Sequence, residues 1–146
     1  MPDAAGAVTR LIDQVCNAVP SFQLSHALRD TWEVVAETNR YIVTREPWKL
    51  AKAPGKGDEL ATSLYVAADT LRVIAELLRP FMPATAERTL AMLGEPAAPA
   101  SWVTLRAGGL KPGATLGETV ALFPRMELTV EALRTMSNET SGPQEQ

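Results

Sequence analysis

The stretch Pro47-Trp48-Lys49-Leu50-Ala51-Lys52 puts a rigid aromatic directly after a helix-breaking imino acid. Arg40, Arg45, Lys49, Lys52 and Lys56 surround it, with Glu46 as the single opposing acid. The local balance is +4 in a chain whose net charge is −3, so the remainder carries −7. An unpaired nucleobase laid on an aromatic face gains about 1–3 kcal/mol. Arg40, Arg45, Lys49 and Lys52 could hold the flanking phosphates meanwhile. The same residues also suit a plainer arrangement, a tryptophan plugging the end of a helix bundle beside a solvated, lysine-rich loop. Residue types and charge leave both open. Bulk charge does not decide either, because the chain as a whole is not a polycation.

Other chemistries fail on inventory. The one histidine, His26, has no nucleophile elbow or other activating frame around it. A histidine-rich metal site is therefore excluded, and the acids are spread out with no dense cluster for a divalent cation. No glycine-rich phosphate cradle of recognised spacing is present, and Gly55-Lys56-Gly57 is too short to be one. The single cysteine, Cys16, forbids an internal disulfide and lies on an apolar stripe, as a small buried hydrophobe does. These absences predict no catalytic residue, no metal and no cofactor in this chain. No apolar run is long enough for a membrane span and no secretory signal is visible, so a cytoplasmic setting is expected.

The elements that must position the tryptophan are helices. With 146 residues, 46% of them hydrophobic and only 5% aromatic, Ala, Leu and Val must supply most of one domain's core. Val8, Leu11, Ile12, Val15 and Val19 have helical spacing that stops before Pro20. A second helix carries the stripe Leu24, Leu28, Trp32, Val35, Asn39 and Ile42. Asn39 is polar among apolar neighbours and is expected to be tied by hydrogen bonds. Pro47 ends that helix near Glu46. After a loop at 54–57, Asp58 is expected to cap a third helix. Its stripe is Leu60, Leu64, Ala67, Leu71, Ile74 and Leu78, widened by Val66, Val73 and Leu77, so it should lie centrally. Pro83 opens a fourth helix that Gly94 stops. One or two turns around Trp102, an irregular arm at 108–122 and a weak helix at 127–136 follow. The domain is read as 1–136, with 137–146 a disordered polar tail.

Several segments in register resemble the anticodon-binding domain of methionyl-tRNA synthetases. They are Phe22-x-Leu24-Ser25-x-Ala27-Leu28; Asn39-x-Tyr41-Ile42-x4-Pro47-Trp48-x-Leu50-x-Lys52; Leu77-Leu78-x-Pro80-Phe81-Met82-Pro83-x-Thr85-Ala86-Glu87; and Leu122-Phe123-Pro124-Arg125. The resemblance implies an all-α bundle of the class I aminoacyl-tRNA synthetase anticodon-binding type, with an irregular C-terminal arm. It implies that Trp48 stacks on the first base of a CAU anticodon, that tRNA is the partner, and that Asn39, Tyr41 and Pro47 keep the segment in shape. Methionine activation with ATP would belong to a catalytic domain absent from this chain: His26 is followed by Ala27-Leu28-Arg29 instead of completing a HIGH signature, and no KMSKS string occurs. The family's Asn-x-x-x-Arg helix, which reads base edges, has no counterpart, since no asparagine here is followed four residues on by arginine. The bundle is then expected to lack its first helix and to expose an apolar groove, favouring self-association. An interaction module that docks on a separate catalytic subunit is the second reading.

Overall fold

The computed structural model describes residues 4–96 and 101–124. The weak helix at 127–136, the tail and the boundary between them lie outside the described residues. Four longer helices, α1 (Ala4–Ala18), α2 (Leu24–Arg45), α4 (Gly57–Leu78) and α5 (Pro83–Met92), are joined by short turns, and α3 (Pro47–Leu50) is a single turn between α2 and α4. Among the described residues there is no strand. No helix there is long and apolar enough to cross a membrane.

Helix α1 follows its periodicity closely. Val8, Leu11, Ile12 and Val15 are all buried, and α1 packs against both α2 and α4. Cys16 is half-buried at the edge of this seam. Burial pushes its thiol up from its ordinary value, and the Asp13 carboxylate adds to the effect. It behaves as packing material, with its proton retained.

Helix α2 departs from the expected pattern. None of the stripe Leu24, Leu28, Trp32, Val35, Asn39 and Ile42 is fully buried. The core-facing ridge sits one position earlier, at Ala27, Thr31, Val34 and Tyr41. Small residues there let α1 come close, and Thr31 satisfies its hydroxyl on the Ala27 carbonyl at 2.8 Å. The larger apolar side chains face sideways instead. Asn39 is consequently exposed, and among the described residues no hydrogen bond holds its side chain, contrary to the expected tie.

Helix α4 does lie centrally, in contact with α1, α2, α3 and α5. Val73 and Leu77 are buried in full, yet Leu64 and Leu71 of its leading stripe stay 52% and 41% exposed. The cap also differs from expectation. Lys56, not Asp58, precedes the helix, and no side chain caps it. Asp58 and Glu59 fall in the first turn, where their charge opposes the positive end of the helix dipole. Pro83 occupies the first turn of α5 as expected, and Gly94 takes a left-handed φ of 73° behind it. A side chain at 94 would also strike the Thr115 carbonyl oxygen.

The arm after Trp102 is irregular but firmly attached. Trp102 donates its indole N–H to the Glu76 carbonyl at 3.3 Å, and Tyr65 donates to the Leu110 carbonyl at 3.0 Å. Between these anchors the buried carboxylate of Asp69 accepts the amides of Gly108 and Leu110, at 2.5 and 2.9 Å. The Arg72 guanidinium, paired to Asp69 at 2.9 Å, donates to the Arg106 carbonyl at 2.7 Å. The arm thus runs antiparallel to α4, pinned at four residues of that helix, Tyr65, Asp69, Arg72 and Glu76.

Candidate nucleic-acid interface

The corner between α2 and α3 is where the sequence concentrated cations around an aromatic. Helix α2 ends at Arg45, and Glu46 adopts φ 47°, ψ 55°, a left-handed turn that redirects the chain. Pro47 then starts α3 with its φ already set and no donor to lose. Trp48 follows at the second position of that turn and is 51% exposed. It does not belong to the core cluster.

Tyr41, one turn before the corner, is 6% exposed and anchors this end of α2. The Arg45 guanidinium lies 5.5 Å from the centre of its ring, a cation–π placement that restrains Arg45 on the surface. Lys49 is bridged to Glu46 at 2.7 Å. Lys56 is bridged to Glu59. Asp58 and Glu59 also share a polar recess with Arg45. The positive balance along residues 40–56 is therefore diluted in space by acids from the start of α4. Among the described residues no ion pair engages Lys52 or Arg40, and both are exposed. Five residues of helix turn a side chain by about 140°, so Arg40 does not share a face with Arg45. The structure brings Arg45, Trp48 and Lys49 to one corner, with Lys52 in the turn beyond. Asn39 stands apart from them, on the rim of a groove.

That groove runs between α2, α4 and α5. Val35, Leu71 and Ile74 form its continuous floor, Ile42 and Leu64 line one end, and Trp32 the other. Its walls are the large apolar residues that sequence periodicity had assigned to the core. This face of the bundle therefore carries an open apolar groove. Among the described residues no group of His, Cys, Asp or Glu is disposed to hold a metal ion.

Sequence reasoning missed the Asp69–Arg72 pair. Both sit in the apolar middle of α4 at i, i+3 spacing, which also suits a plain surface ion pair; a charged pair among residues destined for the core was the available signal.

Comparison with known proteins gives the class first. The fold matches the apo Mycobacterium tuberculosis methionyl-tRNA synthetase with a TM-score of 0.70 and 29% identity, over 87% of this chain and 27% of that one. It is the helical, anticodon-binding type of aminoacyl-tRNA synthetase domain. The profile described as the anticodon binding domain of methionyl tRNA ligase matches residues 5–134, and the chain belongs to that family. The methionine–tRNA ligase of Caldanaerobacter subterraneus is 35% identical over 129 residues, which is 88% of this chain and 20% of the relative. That of Streptomyces coelicolor is 39% identical over 109 residues, 66% of this chain and 19% of the relative. The chain spans about a fifth of the length of the curated relatives it matches.

Proposed function

We propose that this domain binds the anticodon loop of a tRNA, and that its ligand is a CAU loop stacked on Trp48. The observation that carries the reading is the half-exposed indole on a corner that Glu46 and Pro47 hold rigidly at the tip of α2. Lys49 and Lys52 contact the phosphates on either side, and Arg45 adds a third cation held against the Tyr41 ring. The Glu46–Lys49 bridge is surface-exposed, so exchanging it for a phosphate costs little. In this reading the domain serves a cytoplasmic methionine–tRNA ligase, and the ATP-dependent activation of methionine falls to a different part of that enzyme. Docking on a separate catalytic subunit, the second reading, has the apolar groove as its one argument; family membership supports the RNA-binding reading over it.

The test is the affinity for a CAU stem-loop against one with a scrambled loop, read by fluorescence anisotropy. The CAU loop is expected to bind more tightly, and Trp48→Ala to weaken that binding by about 1–3 kcal/mol, the value of one stacked base. Equal affinity for both loops would remove recognition from the account. Unchanged affinity in a folded Trp48→Ala variant would return the tryptophan to a packing role.

A further inference from the structure

Glu46 joins two helices through one residue. Its amide donates to the Ile42 carbonyl at 3.0 Å and closes α2, while its own carbonyl accepts the amides of Lys49 and Leu50, at 2.7 and 3.2 Å, and opens α3. Both tasks depend on its left-handed backbone, a conformation glycine adopts freely and a side chain resists. Gly55, Gly94, Gly108 and Gly113 fill such positions elsewhere, and Phe22 is the other non-glycine residue among the described residues to do so. A glutamate at 46 supplies something glycine cannot, and its carboxylate is seen to reach the Lys49 ammonium at 2.7 Å. That ion pair, together with the backbone bond from Lys49 to Glu46, closes a short ring around Pro47 and Trp48.

We infer that Glu46 is a positioning residue whose left-handed backbone, assisted to a lesser degree by its exposed pairing with Lys49 until phosphate takes that lysine, holds the Trp48 indole immobile and outward before any ligand arrives. Its functional consequence rests on Trp48 being the base platform proposed above. An indole already immobilised loses little freedom when a base stacks on it, so preorganisation appears as affinity.

The measurement is the heteronuclear NOE of the Trp48 indole N–H in the 15N-labelled 146-residue chain, with Trp32 and Trp102 as internal references. Glu46→Gly keeps the left-handed turn accessible and removes the carboxylate. Glu46→Gln keeps the backbone restraint and removes only the charge. The Trp48 value is expected to fall clearly in Glu46→Gly and less in Glu46→Gln, with those of Trp32 and Trp102 unmoved and the Tm of Glu46→Gly held or raised. In Glu46→Gly, affinity for the CAU stem-loop should fall about two- to tenfold, the cost of ordering one side chain. It is read at high salt, where a released Lys49 gains little from phosphate. An unchanged Trp48 NOE in both variants overturns the inference, whatever the Tm does. If the wild-type chain fails to distinguish CAU from scrambled loops, the RNA-binding proposal falls while the NOE still decides the role of Glu46.

Discussion

Asp69→Ala should destabilise the domain by about 3–5 kcal/mol, the usual cost of stranding one member of a buried ion pair. The Asp69 and Arg72 side chains are only 7% and 8% exposed, so neither charge can turn to water when the other is lost. Asp69 also accepts the amides of Gly108 and Leu110, which would be left without their acceptor. Stranding the buried Leu110 amide costs about 1–3 kcal/mol by itself, while the amide of the exposed Gly108 can turn to water. Replacing both charges, in Asp69→Leu with Arg72→Met, should cost less than Asp69→Ala alone, because no isolated charge remains. It should still cost something, because the arm's amides stay unpaired. Urea unfolding monitored by circular dichroism measures all three proteins. A loss below about 1 kcal/mol in Asp69→Ala would mean that the arm is not held by this carboxylate.

The second large effect is expected at Leu11→Ala, at about 2–5 kcal/mol. Leu11 is fully buried, and α1 meets both α2 and α4 along the ridge it shares with Val8 and Val15. Truncation there removes apolar area and leaves a void that rigid helix backbones close only in part. The same change at Leu64, which is 52% exposed in the groove, should cost much less although both leucines lie on apolar stripes. Thermal or urea unfolding of the pair separates a core stripe from a groove stripe. Equal losses would show that α4 presents its Leu64 face to the core after all.

Much of this was legible in the residues. Proline and glycine positions marked nearly every helix end, since Pro47 and Pro83 prescribe backbone geometry locally and Gly94 is needed for a left-handed stop. The α1 stripe was read correctly because a helix covered on one side has one apolar face. The α2 stripe was read one ridge away from the core, whereas on α4 Val73, Ile74, Leu77 and Leu78 of the expected face are buried and Leu64 and Leu71 are left exposed. Periodicity reports where apolar residues lie on a helix, and cannot say which of two adjacent ridges finds a partner. In α2 the ridge with the smaller residues won, since Ala27 and Thr31 allow closer approach than Leu28 and Trp32. The cap at 58 was misplaced by a similar limit, because acids in the first turn and acids at the cap follow nearly the same statistical signal.

The corner itself divides in the same way. The proline-then-tryptophan order, the surrounding cations and the family pattern are local properties of the chain, and residues alone carried them. What the cations face is not local. The acids of the first turn of α4 come back beside Arg45 only when the bundle closes, and Glu59 meets Lys56 three residues before it, which turns a basic run into a mixed surface; among the described residues no ion pair engages Lys52 or Arg40. The burial of the Asp69–Arg72 clamp and the open groove likewise exist only after packing. Backbone and side-chain propensities act over a few residues, whereas burial and charge pairing are settled by whichever distant surface arrives.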